Sequence, residues 1–298
     1  MLVNDSNLEI FFKGAKTAYS DAFMAAETTW AQLAMRIAST ADSESYGWLG
    51  DWPGLRKWVG ARAIHKLRLH GFQLKNITFE STVSIGRESF EDDRLGIFAP
   101  MFRQMGHATA LHPEQLVYSL IADGFDALGY DGQPYFDTEH PVTDESGATT
   151  LVSNMQSGSE PAWFLFDLTQ PLKPFIFQER IPYEFTALNR PEDAPMFLNN
   201  EMVLGVRARV NAGYGLWQLS FGSKAALTAT NYRLARAAMQ RFRSADGRLL
   251  GVRPTALVCP PELEEDARRL LNSTLGEGGE SNPWAGSARL IVSPQLEG

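Results

Sequence analysis

The 298-residue chain has one cysteine, Cys259, which excludes an internal disulfide and any multi-cysteine zinc or iron–sulfur site. It has no long apolar run. Its most apolar stretches, such as Ala22–Ala26, Trp163–Phe166 and Ala256–Cys259, fall far short of the ~18 residues a membrane span needs. Met1–Glu9 carries Asp5 and Glu9 and lacks the basic-then-apolar pattern of a signal peptide, so a soluble protein made in the cytosol is expected. A basic excess is missing as well. The net charge is −8 and the pI near 5.2, which argues against a free-standing nucleic-acid binder. What is present is a 44% hydrophobic share with 25 glycines and 16 prolines, enough for one large or two modest folded domains.

Charge is distributed in blocks. Residues 51–80 hold six basic residues against two acidic ones; residues 88–145 hold twelve acidic against two basic; residues 224–253 hold seven basic against one acidic. Solvated faces explain such blocks, and so do complementary patches that meet between copies of the chain.

The N-terminal region reads as helix. Leu8, Phe12, Ala15, Tyr19, Phe23, Ala26, Trp30, Leu33 and Ile37 recur at steps of three and four, and Ser6 with Glu9 has capping-box spacing. A stripe this long suggests two helices or an arm lying on a neighbour. A Gly- and Trp-rich connector follows, and then two strands at 62–70 and 73–85 joined at His70-Gly71-Phe72, a long basic hairpin that must lie on something to be stable. In its second strand, Leu74, Asn76, Thr78, Glu80 and Thr82 fall on one face, with Ile77, Phe79, Val83 and Ile85 largely on the other. A second helix carries Leu95, Phe98, Phe102, Met105 and Ala108 on one face. His112-Pro113 is expected to interrupt it, and it resumes through Leu116, Val117, Leu120 and Ile121 to a stop at Asp123-Gly124. Residues 125–160 read as loop. Strands are expected at Trp163–Leu168, Pro174–Phe177 and Met202–Val210, the last turning at Asn211-Ala212-Gly213 into Tyr214–Phe221. The final quarter reads helix, strand (Thr255–Cys259), helix, strand (Ala288–Val292), with acid at the start and base at the end of the second helix, as its dipole favours.

Catalytic signatures are scarce. Asp137, Glu139 and His140, with His107 and His112 as distant partners, are the best candidates for a divalent-metal site, the basis of an alternative reading as a metal-dependent hydrolase. No HExxH pattern supports it, and four polar residues before a proline usually make a turn. Cys259 ends an apolar strand and reads as a buried structural thiol. There is no nucleophile elbow, phosphate loop or dinucleotide fingerprint.

Several motifs, in order over almost the whole chain, carry a resemblance: Tyr46-Gly47-Trp48-Leu49-Gly50 with Trp58-Val59-Gly60; Phe90-Glu91-Asp92-Asp93; Tyr130-Asp131-Gly132-Gln133 with Phe136-Asp137 and Glu139-His140-Pro141; Lys173-Pro174-Phe175-Ile176-Phe177-Gln178-Glu179-Arg180; Gly213-Tyr214-Gly215-Leu216-Trp217-Gln218; and Leu257-Val258 with Pro260 and Glu262-Leu263. Together they resemble the major head (major capsid) subunit of Mu-like tailed bacteriophages. The resemblance implies an α+β, HK97-like major capsid protein fold, divided as N-terminal arm and connector (1–53), extended β-hairpin loop (54–86), peripheral domain with spine helix (87–150 and 180–222) and axial domain (151–179 and 223–298). It implies no catalytic residue, no metal and no cofactor. The expected partners are further copies of the chain in the hexamers and pentamers of an icosahedral shell, together with scaffold or protease, portal and decoration proteins. The shell would enclose double-stranded DNA without reading its sequence and would not involve a membrane; the location implied is the virion. The expected contacts between subunits are Arg62, Lys66, Arg68, Phe72 and Lys75 of the hairpin, facing Glu91, Asp92 and Asp93 of a neighbour.

Overall fold

The computed structural model describes residues 5–50, 71–92, 96–144, 148–188, 190, 192–244, 246–276 and 279–297. Helix α1 (Asp5–Ala25) leads to a single turn α2 (Trp30–Leu33), then strands β1 (Ala34–Ala38) and β2 (Ser43–Ser45). Next come β3 (Gln73–Lys75), β4 (Ile77–Gly86), α3 (Arg87–Asp92) and the long α4 (Ala99–Asp123). Three short strands follow, β5 (His140–Thr143), β6 (Thr149–Val152) and β7 (Met155–Gln156), then β8 (Trp163–Phe166) and the long β9 (Phe175–Leu188). The remainder is α5 (Ala194–Asn199), β10 (Glu201–Tyr214), β11 (Ser220–Ser223), α6 (Ala229–Gln240), β12 (Ala256–Cys259), α7 (Glu264–Asn272) and β13 (Arg289–Val292).

Two larger sheets organise these elements. One is ordered β1-β9-β10-β4, with β1 parallel to β9 and the other pairs antiparallel; the other is ordered β13-β12-β8-β11-β7. β8 and β12 are buried at every position, so they read in sequence as unbroken apolar runs rather than as alternation. The main core lies around them and includes Trp163, Phe164, Phe166, Phe175, Tyr135, Tyr232 and Leu257. A second, smaller core gathers Leu8, Ala15, Tyr19, Phe90, Phe102, Met105, Phe185, Met196, Met202 and Leu204. Three long elements join the two. α4 contributes Phe102 and Met105 to the small core and Val117, Tyr118 and Ile121 to the main one; β9 and β10 do the same at their two ends. β9 therefore runs unbroken through the expected 179/180 boundary.

Several local expectations are corrected. The N-terminal stripe is split between two helices, α1 to Ala25 and the single turn α2 with Trp30 and Leu33, and only Ile37 leaves it, lying in β1 beside Gln178. Ser6 lies inside α1, so it is not the cap of a capping box. α1 packs on α4 of its own chain, so closely that a Cβ on Gly106 would lie 2.1 Å from the Tyr19 carbonyl oxygen. α4 is one helix through Pro113. The proline costs it a hydrogen bond, but buried residues on both sides hold the two halves in line. On its face Ala108 is exposed and Thr109 is buried.

The strand expected over 73–85 is two, broken at Asn76. That buried amide donates to Ser39 Oγ (2.8 Å) and to the Ala41 carbonyl (2.9 Å), and accepts from Gln178 Nε2 (2.8 Å). β3 then pairs with β2, and β4 pairs with β10; Phe79 and Val83 are half-buried and Ile85 buried, but Ile77 is exposed. The 62–70 strand lies outside the described residues. Residues 125–160, expected as loop, contain the β5–β6 hairpin and β7. Asn211-Ala212-Gly213 does not turn; β10 passes straight through it. The glycine serves close approach instead, since a Cβ there would sit 3.0 Å from Leu74.

Candidate functional site

The metal-site candidates do not come together. His140 is completely buried: its Nδ1 lies 2.7 Å from Asp131 Oδ2, its Nε2 3.1 Å from Asn154 Oδ1, and its ring stacks on Trp217 with centroids 4.0 Å apart. Both ring nitrogens are thus occupied by protein oxygens. The Asp137 carboxylate accepts from the next backbone N–H, of Thr138 (2.5 Å), while Glu139 is exposed. His107 is exposed on α4. His112 sits elsewhere, with Nδ1 2.6 Å from the Tyr183 hydroxyl, and burial pushes its pKa down. Among the described residues no three His, Cys, Asp or Glu side chains form a metal-binding group. Asn154 completes the picture: Nδ2 donates to the Tyr135 carbonyl (2.8 Å), and Oδ1 also accepts from the Asp137 N–H (2.8 Å). The cluster is a lock that pins the 131–140 loop to the main core. Sequence showed Glu139-His140 but not Asp131, Asn154 and Trp217 as its partners, because they are brought in only by the fold.

Cys259 is fully buried in β12, and burial, reinforced by nearby Glu264, pushes its thiol pKa up to about 12; it has no character of a nucleophile.

Motifs far apart in the chain meet in pairs. The Tyr46 hydroxyl donates to Gln178 Oε1 (2.7 Å), and Gln178 Nε2 donates to the Leu74 carbonyl (3.1 Å). Gln218 Nε2 donates to the Tyr130 hydroxyl (2.8 Å), whose ring lies against Gly50 at φ +86°. Gly215 fits under the Lys173 and Pro174 carbonyls, where a Cβ would come within 2.8 Å of both. Among the described residues these motif positions hold the two sheets and α4 in one arrangement, and none converges on an open cleft with chemistry to perform.

The contact candidates occupy another part of the molecule. Phe72 is half-buried against the main core. Lys75, at the end of β3, is exposed and lies 3.8 Å from Asp42, which also takes Arg209 at 2.9 Å. Glu91 sits on α3 and accepts from Arg87 Nε at 3.0 Å, beside exposed Asp92. Arg62, Lys66, Arg68 and Asp93 lie outside the described residues. Ten-residue β4 separates Lys75 from α3, a span of about 33 Å at the rise of a strand, so Lys75 and Glu91 of one chain cannot pair with each other.

A protein-family model of the Mu-like prophage major head subunit gpT matches residues 8–296. The chain belongs to this family. It is 38% identical to the major capsid protein of Escherichia phage Mu, over 99% of this chain and all of that one. It is also 34% identical to the Mu-like prophage FluMu major head subunit of Haemophilus influenzae, covering 90% of this chain and 89% of the relative. Among solved structures, a chain of the bacteriophage JBD30 procapsid is similar with a TM-score of 0.88 and 36% identity, covering 98% of this chain and 100% of that one. A chain of the JBD30 capsid is similar at a TM-score of 0.80 and 29% identity, with 94% of each covered. The fold is the HK97-like major capsid fold expected from the motifs, and the protein is a structural head subunit, not an enzyme. Its place is the phage head. Nothing supports the hydrolase alternative, and the His140 lock accounts for the residues that suggested it.

Proposed function

We propose that many copies of this chain close into an icosahedral shell of hexamers and pentamers around packaged double-stranded DNA, with scaffold, portal and decoration proteins as further partners. The observation that carries this reading is the full-length match in sequence and shape to head subunits, from residue 8 to residue 296. The structure of JBD30 decorated with minor capsid protein trimers is a precedent for decoration in a relative at 30% identity. The small core and its surroundings correspond in this reading to the peripheral unit, and the β8/β12 sheet with α6 and α7 to the axial unit.

Within such a shell the basic hairpin, through Arg62, Lys66, Arg68 and Lys75, lies over the Glu91, Asp92 and Asp93 surface of a neighbour, with Phe72 at its base. The separation of Lys75 from Glu91 across β4 supports a contact between chains rather than within one. Exposed pairs contribute only ~0–1 kcal/mol each, so apolar burial at roughly 25 cal/mol per Å² supplies most of the contact energy. Weak single contacts suffice because each subunit makes many. Electron microscopy of the expressed chain carrying Lys66→Glu with Arg68→Glu tests the docking: a folded subunit with impaired assembly is expected, and normal shells refute it.

A further inference from the structure

α4 serves both cores, and the stretch between its two contributions contains a break in its hydrogen-bond ladder. Pro113 has no N–H to give to the Thr109 carbonyl, and the Thr109 hydroxyl donates back to the Met105 carbonyl at 2.7 Å. Open space adjoins the break. A cleft of about 240 Å³ lies between α4 and the sheet, with Met105 and His112 on the helix side and Phe79, Tyr183, Val206 and Ala208 on the strand side. Pro113 and Tyr183 also line a second cavity, about 320 Å³, together with Trp30 and Phe177.

His112 is the ring that fills the joint. It is half-buried, stands edge to face with Phe79 at 4.3 Å between centroids, and holds Nδ1 2.6 Å from the Tyr183 hydroxyl. Among the described residues its Nε2 has no hydrogen-bond partner. Burial holds its pKa below the ordinary histidine value, so the ring is neutral in the closed cleft near neutrality. The groups around it are ill suited to a cation. From β9 comes Tyr183, whose pKa is pushed up by burial and by Glu179, so it stays un-ionised; Glu179 itself is paired with Arg36 at 2.5 Å. From β4 comes Glu80, whose carboxylate accepts from the Thr82 hydroxyl at 2.5 Å, and from β10 comes Arg207, of the wrong sign. On α4 itself Glu114 is turned to the Thr29 and Trp30 N–H groups, at 2.8 and 2.9 Å. From α1, Tyr19 acts on Tyr183, and its hydroxyl is buried without a partner.

We infer that His112 is a proton-operated joint: neutral, it closes α4 against β4, β9 and β10; protonated, it draws water into the cleft and loosens α4 from the sheet where the two cores adjoin. A protonated imidazole has two N–H donors and a charge. The closed cleft offers an acceptor to one of those donors, the Tyr183 hydroxyl, and among the described residues no carboxylate is in ion-pair contact with the ring. Water supplies the rest only when the cleft widens. A histidine with a lowered pKa contributes its stabilisation fully above the unfolded value, near 6.5, and loses it as pH falls through the folded value. The joint is therefore shut at neutral pH and open in acid. This holds within one copy of the chain, however copies assemble.

Hydrogen exchange of the full-length chain at pH 7.5 and pH 5, corrected for the intrinsic pH dependence of exchange, tests the joint. In wild type, exchange in β4 and in residues 105–116 of α4 is expected to quicken in acid, by up to about tenfold per pH unit below ~6.5, with β8 and β12 unchanged. His112→Gln and His112→Phe, side chains that do not titrate, are expected to abolish the acid effect; the phenylalanine keeps the cleft filled should the glutamine variant fail to fold. Wild type without an acid effect overturns the inference, as does an acid effect that reaches β8 and β12 equally. The same acid effect in a folded His112 variant assigns it to another group and overturns the inference too.

Discussion

The main core and the small core are built on different plans. In β8 and β12 every position is buried, two helices and a second sheet close the structure, and the polar side chains of His140 and Asn154 are paired inside. The small core is a set of phenylalanine contacts, Phe11 on Phe90 and Phe102 and Phe12 on Phe185, roofed largely by α1. The elements around it leave Ile10, Met24, Leu188, Phe197 and Leu198 exposed, Phe197 at 79%. The main-core side exposes single leucines, Leu128, Leu151, Leu234, Leu249 and Leu275. The other presents apolar surface outward, as a subunit made to be covered by copies of itself would.

Substitutions separate the two. The largest effect is expected for Trp163→Ala, which removes a fully buried ring from the main core and costs about 3–5 kcal/mol, lowering the melting of the whole chain by calorimetry. His140→Ala is expected to cost about 3–5 kcal/mol by leaving the Asp131 carboxylate buried without its partner; denaturant midpoints at unchanged slope check it. Gly106→Ala acts on the small core alone. The added methyl meets the Tyr19 backbone, so α1 is expected to loosen at a cost of about 1–3 kcal/mol, seen as faster proteolysis within residues 5–25. Cys259 reports the other side of the comparison: its labelling by a thiol reagent at pH 8 is expected to stay as slow in Gly106→Ala as in wild type and to quicken in Trp163→Ala. Equal acceleration in both would mean the cores open together.

The smallest effect belongs to Glu44, whose pKa is lowered first by the Thr40 backbone N–H, then by the Ser39 hydroxyl and the Ala41 N–H. A lowered carboxylate contributes stability above its unfolded value and loses it as pH falls through the folded one. Wild type is therefore expected to exceed Glu44→Gln in stability near neutrality, and the difference to vanish on acid titration.

The main core was largely legible in the sequence, because burial on both faces writes strands as apolar runs and the charge order of α7 writes a helix with its direction. Its arginines do double duty, Arg268 with Glu264 and Arg269 with Glu265, at the spacing one helical turn allows. The small core was legible only in part. The apolar rhythm of α1 runs on through Trp30 and Leu33 of the single turn α2 to Ile37, where backbone pairing with β9 takes over. At 211–213 the residues of a turn turned out to serve packing against Leu74. For His140 the signal was one residue of a four-residue lock, whose other members lie 9, 14 and 77 positions away along the chain. Periodicity carries no information about such pairs; only the motif set as a whole, through resemblance, pointed to the fold.

The account's central claim is that the small-core side, which exposes the larger apolar surface at Met24, Phe197 and Leu198, is the one covered most by neighbours, while β8 and β12 are buried within the chain itself. Hydrogen exchange compared between the free subunit and assembled shells tests it most directly. The predicted result is slow exchange of β8 and β12 in both states, with α1, α5 and β4 exchanging faster in the free subunit and gaining protection on assembly. Shells in which α1, α5 and β4 exchange as in the free subunit would contradict it.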